Sequence, residues 1–418
     1  MSSQSLGRCV RLLAYVAILG CSADRASAEV LFSDNFNTNT SGAWTVNAAP
    51  AANAGNQQAT FAFDYSTMGI PAAPGSSDTL GLQLKANIPG SAAAPVTSRP
   101  PGALSGLSVS PTGESFGTNY QVSFYAWANY FGSPNAAGLG DNVLSQGGTN
   151  NVLFAVGTSG AVPVVVGSTA ALASAPMNGV AFVATNDGGL TDDYRVFAAN
   201  NVAAAANSGV YAAGTAANSR GNENTFYTER FPSVQAPPEQ AAIATAEYDD
   251  GAFNTQNGNT PIGSFGFAWH KVVITKNNGT ITWEINDDLF ATVDASALAL
   301  GGENLALGVS DVNTTTARHP SLLFGLFDNL VVTDIPAAGL AGDFNGDDVV
   351  NGNDFTLWQR GGSPAPYSAG DLATWKAHFG EVAPGVAVAA AVPEPAAVGL
   401  AGLAVLTLGV SSRRRGGA

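Results

Sequence analysis

Cysteine is nearly missing from this chain. Its 418 residues contain two, Cys9 and Cys21, both within the first 28. Cleavage after Ala28 would leave none, which excludes disulfides, thiolate catalysis and cysteine-bound zinc. Stability must then come from packing, and the stretch 29–336 is long enough to build a sizeable core. Histidine is scarce as well: His270, His319 and His378 are far apart and read as packed or surface residues rather than a base or ligand set. No Gly-x-Ser-x-Gly elbow, His-Glu-x-x-His helix or lysine-bearing phosphate loop occurs, so no linear motif argues for catalysis.

Charge is the next shortage. Charged residues make up 11% of the chain, against a usual ~25%. The balance is acidic, with a formal net charge of −15. Setting aside Arg8, Arg11, Arg25 and Asp24 at the start and three arginines at the end leaves −20 on the body. Such a surface repels phosphate backbones and excludes a nucleic-acid partner.

Both ends carry addresses. Arg8 and Arg11 precede the apolar stretch Leu12 to Leu19, and Ala26-Ser27-Ala28 offers a small-residue cleavage site before Glu29. Residues 1–28 therefore read as a secretory signal peptide. Ile18-Leu19-Gly20-Cys21 partly resembles a lipoprotein box, which would instead make Cys21 the lipidated first residue. At the other end, residues 381–391 form a linker into Val392-Pro393-Glu394-Pro395. An uninterrupted apolar run follows from Ala396 to Val410, then Arg413-Arg414-Arg415. The run is shorter than the ~20 residues of a comfortable membrane span, and the arginines fix its orientation with the cationic end cytoplasmic. Residues 392–418 resemble the PEP-CTERM sorting signal of bacterial envelope proteins. That resemblance implies an exosortase acting at Pro393-Glu394-Pro395, a membrane contact through residues 396–410, and either anchoring or release after processing. An ordinary C-terminal anchor helix would give nearly the same address.

Between the ends the pattern is β. Short apolar alternations recur between Gly, Pro, Asn and Asp clusters, as in a sandwich or barrel. Tyr120 to Phe124 alternates cleanly. Val272–Lys276 and Thr280–Ile285 flank Asn278-Gly279, a left-handed turn pair, and predict a hairpin. Ile281, Trp283 and Ile285 share one face of its return strand. A turn at Asn286-Asp287-Asp288 leads to a third strand, Leu289–Val293, and a final strand is expected over Leu322–Thr333. Residues 86–118 and 200–260, including the alanine-rich Ala203–Ala206 and Ala212–Ala217, read as long loops. Tyr125, Trp127, Tyr130 and Phe131 could stack on sugars but fit a core better.

The opening Val30-Leu31-Phe32-Ser33-Asp34-Asn35-Phe36, the closing Phe327-Asp328-Asn329 and Trp269-His270-Lys271-Val272-Val273-Ile274 resemble concanavalin-like (laminin-G-like) jelly rolls. The resemblance implies a jelly-roll-type β-sandwich over 29–336, in a group where many members bind glycans and some are hydrolases. A glycoside hydrolase needs two facing carboxylates. The nearest candidate is Glu284-Ile285-Asn286-Asp287-Asp288, but Asn286 stands where the second acid would be, and Asp287 and Asp288 read as turn residues. No catalytic residue is assigned.

The sharpest chemical motif is Asp343-Phe344-Asn345-Gly346-Asp347-Asp348-Val349-Val350-Asn351-Gly352-Asn353-Asp354. Oxygen side chains fall at positions 1, 3, 5, 9 and 12, with the Val349 carbonyl at 7, a spacing suited to calcium. The segment resembles a type I dockerin half, which carries ligand roles to Asp343, Asn345, Asp347, Asn351 and Asp354. A helix bearing Phe355 and Trp358 should follow, and a second from Ser368, capped with Asp371 and striped by Leu372, Trp375 and Phe379. Asp348 replaces the usual glycine at position 6, a left-handed position that Asp tolerates at a cost of ~1 kcal/mol. Ser363–Gly370 lacks a second ligand loop. The unit 342–380 thus reads either as a cohesin-binding module or as a calcium-stiffened spacer. Together these features predict an exported, mainly β surface or matrix protein that binds polysaccharide or envelope partners, with a surface-displayed polysaccharide-degrading enzyme as the alternative.

Overall fold

The computed structural model describes residues 28–49, 57–86, 105–131, 150–166, 177–186, 188, 192–200, 203–206, 208–216, 218–247, 256, 258–311, 320–335 and 340–382. The expected signal segment (apart from Ala28), the sorting tail and nearly all of the linker lie outside them, as does His319. The chain divides into two compact units, one spanning Ala28–Pro336 and one containing residues 340–382.

Among its described residues the larger unit has sixteen strands: β1 (Val30–Asp34), β2 (Trp44–Ala49), β3 (Gln58–Asp64), β4 (Leu80–Lys85), β5 (Ser105–Pro111), β6 (Tyr120–Asn129), β7 (Asn150–Thr158) and β8 (Val180–Thr185), then β9 (Tyr194–Asn200), β10 (Ala203–Ala206), β11 (Val210–Tyr211), β12 (Trp269–Asn277), β13 (Thr280–Ile285), β14 (Asp288–Asp294), β15 (Asn304–Asp311) and β16 (Phe324–Asp334). They form two antiparallel sheets. One runs β11-β14-β13-β12-β6-β16-β4-β3 with β1 also on β16, and the other runs β10-β9-β8-β7-β15-β5-β2. Strand β16 is shared: Gly325–Phe327 pairs with β4, and Leu330–Thr333 pairs with β1.

The expected hairpin is present. β12 pairs with β13 from Val272↔Ile285 to Asn277↔Thr280, and Asn278 (φ 48°) and Gly279 (φ 76°) make the turn. Asn286 and Asp287, both at positive φ, turn β13 into β14, so Asp288 opens the next strand rather than ending the turn. The inward side chains of both sheets meet in one apolar core. Trp283 is fully buried there, with Phe182 at 5.2 Å and Phe290 at 5.5 Å, and Phe124 lies 5.2 Å from Phe154.

Each sheet also carries apolar residues on its other face. On the seven-stranded sheet, Leu153, Ala155, Ala181, Val183, Phe197 and Ala306 pack under Val164, Val166 and Met177. Val164 N–H donates to Ser108 Oγ and Val166 N–H to Ser310 Oγ, which ties this strap to the sheet. On the nine-stranded sheet, Trp127, Phe324 and Leu326 pack under Tyr65, Met68 and Ile70. Trp127, Tyr130 and Phe131 are all buried, as the core reading expected, whereas Tyr125 is half-exposed.

The loop expectation for 86–118 and 200–260 is corrected. β5 lies inside the first and pairs with both β2 and β15. Its sequence alternates small outward residues (Gly106, Ser108, Ser110) with inward Leu107 and Val109, and the small ones admit the strap: a Cβ on Gly106 would sit 2.4 Å from Val165 Cγ1. The second holds β10, β11 and two helices, α1 (Thr225–Thr228) and α2 (Glu239–Glu247). The β10 alanines join β9 through the backbone ladder, which leaves no side-chain periodicity to read.

Candidate functional site

The smaller unit is built around its acidic loop. Helices α3 (Gly352–Gln359) and α4 (Ala369–His378) follow it. Phe355 packs 5.6 Å from Trp358 and 4.8 Å from Trp375, and Trp375 lies 5.0 Å from Phe379. Indole donors fix the helices to the loop and turn: Trp375 Nε1 donates to the Asn351 carbonyl at 2.8 Å, and Trp358 Nε1 to the Ser368 carbonyl at 3.1 Å. Ser368 caps α4 by accepting from Asp371 N–H, as its spacing predicted. The chain closes on itself where Val350 N–H meets the Glu381 carbonyl and Gly380 N–H meets the Val350 carbonyl.

Asp343, Asp347 and Asp354 converge, each with a carboxylate oxygen within 4.8 Å of the others. Asp354 is fully buried and accepts from the backbone of Phe344, Asn345 and Asn351. Asp343 accepts from Gly346, Asp347 and Asp348 N–H. Partial burial, reinforced by the Asp354 charge, pushes the Asp343 carboxyl above its ordinary value despite those bonds. Asn345 is tied to Asp347, donating Nδ2 to its Oδ2 at 2.9 Å and accepting its N–H. The Val349 carbonyl accepts from Asn351 Nδ2 at 3.2 Å. Asn351 itself is the N-cap of α3 and forms a capping box with Asp354. Of the six residues the spacing named, three carboxylates therefore share one locus, Asn345 is hydrogen-bonded to one of them, and Asn351 bridges the Val349 carbonyl to the helix cap. Asp348 takes the left-handed backbone expected of position 6, at φ 62°. An all-oxygen set of three converging acids suits a hard divalent cation such as calcium, whose charge would offset their repulsion.

The acids of the sandwich are arranged differently. Glu284 lies across from Leu289 on β14 and Val273 on β12, and the adjacent acids are engaged elsewhere. Asp287 meets Lys271 Nζ at 2.8 Å and Asp288 meets Arg230 Nε at 3.1 Å. Asn286 secures the hairpin by accepting from Lys271 N–H. Asp328 is buried on β16, accepting from Tyr65 Oη at 3.0 Å and Ser76 Oγ at 2.8 Å, and burial raises its carboxyl to about 6. His270 is a core residue between Phe231 and Phe265. Asn286 Nδ2 donates to its Nδ1, which leaves the proton on Nε2 for the Phe265 carbonyl. Burial lowers its pKa to about 4, so it stays neutral and inert. His378 is exposed beside Glu381. Ala28 is exposed. Ala26, Pro393, Glu394, Pro395, Arg413, Arg414 and Arg415 lie outside the described residues, and no described helix is long and apolar enough to cross a membrane.

Sequence and structure comparisons bear on two parts of the chain. The PEP-CTERM protein-sorting motif family matches residues 391–415, and no curated protein matches the chain. Among solved structures, a Bacillus subtilis protein of unknown function with a galectin-like fold is similar at 8% identity and a TM-score of 0.32, covering 74% of this chain and 98% of its own. The carbohydrate-binding module CBM66 from Bacillus subtilis is similar at 10% identity and 0.28, covering 70% and 96%. LamA from Z. galactanivorans, bound to laminaritriose and laminaritetraose, is similar at 11% identity and 0.36, covering 73% and 98%. The chain thus carries a PEP-CTERM sorting motif behind a two-sheet antiparallel β-sandwich.

Proposed function

We propose that this is an exported, envelope-sorted surface or matrix protein whose sandwich binds polysaccharide without cleaving it. The sorting motif at 391–415 carries the reading, because it assigns the chain to the cell envelope, where glycans are the abundant ligand. The disposition of the acids supports a non-catalytic role. Glu284, Asp287 and Asp288 sit near one another in sequence, yet two are held in ion pairs and the third faces apolar neighbours across the sheet. The low charge and acidic balance favour neutral glycans over anionic ones. In the smaller unit one calcium ion is held by Asp343, Asp347 and Asp354, with Asn345, the Val349 carbonyl and Asn351 completing the set. The ion would neutralise the three acids and stiffen the loop, while Asn351 and Asp354 couple it to α3 through the capping box. With one ligand loop, this unit serves better as a spacer than as a cohesin-binding surface.

The test has two arms. The full chain, purified in mild detergent, is passed over neutral and anionic polysaccharides, and retention on a neutral one without release of reducing ends is expected. Fractionated cells should show the protein in the envelope and its Pro393→Ala/Glu394→Ala/Pro395→Ala variant mis-sorted. Release of reducing ends would replace the binding reading with the hydrolase one.

A further inference from the structure

The faces of the two sheets offer little room for a sugar chain. The seven-stranded sheet is crossed by the strap at Val164 and Val166, and Trp127, Phe324 and Leu326 of the nine-stranded sheet lie under Tyr65, Met68 and Ile70. A cavity of about 430 Å³ opens instead at the rim, where β1 ends against the middle of β16. That volume falls in the lower part of the ~300–1,000 Å³ range of small-molecule sites. Asp34, Asn35, Thr40 and Phe32 line one side, and Asn329 and Val331 the other.

We propose that this rim pocket between Asp34 and Asn329 is the glycan site, taking one neutral sugar residue. The proposal rests on the polysaccharide-binding reading above and places it at a particular site. The geometry supports it in three ways. First, the pairing Asp34↔Leu330 brings Asn35 alongside Asn329, whose own Nδ2 is already given to Ser76 Oγ at 2.8 Å. Asn35 is exposed, and its Nδ2 has no hydrogen-bond partner among the described residues. Second, the Asp34 carboxylate is buried and held in place by neutral donors only: Trp44 Nε1 at 2.8 Å, Thr40 Oγ1 at 2.6 Å and Phe36 N–H at 2.7 Å. A carboxylate can accept about four hydrogen bonds, which leaves capacity for a sugar hydroxyl. Its charge, within an acidic body, disfavours uronic and sulfated sugars. Third, the site is built on strained backbone. Asn329 (φ 52°), in its lining, and Phe36 (φ 53°), the residue after Asn35, are non-glycine residues in the left-handed region, a cost usually retained where it aims functional groups. Phe32, half-buried with its ring 5.6 Å from that of Trp44, contributes to the lining as well.

The test uses the full chain and the neutral polysaccharide on which it is retained, with glucose, galactose, mannose and glucuronate as soluble competitors. Asn35→Trp, at an exposed position, fills the pocket mouth, and Asn35→Ala removes its amide. Retention should fall more than tenfold in Asn35→Trp and less in Asn35→Ala, with unchanged melting, and a neutral monosaccharide should compete where glucuronate does not. Wild-type retention with both Asn35 variants equally retained would overturn the pocket and leave polysaccharide binding standing. No retention of wild type on any glycan would overturn both.

Discussion

The sandwich and the small C-terminal unit solve the same problem with opposite resources. In residues 28–335, rings and aliphatic side chains from both sheets form one continuous core, and buried acids such as Asp34 and Asp328 are matched by hydroxyl, indole and amide donors. In residues 340–382 the fully buried apolar side chain is Val350, no residue of α4 is buried, and the acids that converge are matched mostly by backbone N–H groups, with one side-chain donor, Asn345 Nδ2. The difference is thermodynamic. Burial stabilises the first at about 25 cal/mol per Å² of apolar area, whereas the second is too small to gain much that way and gathers charge that an ion can neutralise.

The comparison can be broken most strongly in the sandwich core. Trp283→Ala should cost about 3–5 kcal/mol, read as a lower Tm for the sandwich with the transition of the small unit unmoved. Trp283→Phe should cost far less, because Trp283 Nε1 is buried without a hydrogen-bond partner among the described residues. A coupled loss of both transitions would show that the two units are not independent.

Acid should act next. The folded-state pKa of His270, about 4, lies below its unfolded value of ~6.5. Its contribution is therefore present above pH 6.5 and lost as pH falls toward 4, amounting to about 3 kcal/mol. Asp328 runs the other way: its carboxyl, raised to about 6, favours the fold below pH 4 and loses that contribution as pH rises through 6. Urea titrations from pH 7 to 4 should show His270→Gln losing less stability than wild type, and Asp328→Asn losing more. Parallel curves for all three proteins would contradict both assignments.

Calcium should matter only to the smaller unit. At a hundred times Kd it should add about 2.7 kcal/mol, seen as a shifted melting transition that chelator reverses. Asp343→Ala and Asp347→Ala should abolish the shift. Identical wild-type melting with and without calcium would sink the metal assignment. The smallest effect belongs to Asp348→Gly, which relieves the φ 62° backbone and should raise the calcium-loaded transition by about 1 kcal/mol or less.

The legible parts of the sequence were those with local chemistry. Asn278-Gly279 announced its hairpin because few residues accept that backbone, and the Asp343–Asp354 spacing brought three acids together because one turn and one helix start place them. β10 left no trace, since four alanines have no face. β5 did have a signal, the alternation of Gly106, Ser108 and Ser110 with Leu107 and Val109, but small residues read as loop until something is known to pack on them. The rim pocket joins residues 32–43 to 329–331 and has no local signature at all.

The pairing of β1 with β16 has a further consequence in time. Val30 lies opposite Thr333, and among the described strands β1 has no other neighbour. The first strand made must wait for the last, so the sheet closes through contacts of very high sequence separation, which form slowly. A chain that cannot complete its fold until its final strand arrives keeps its first strand without its partner throughout synthesis.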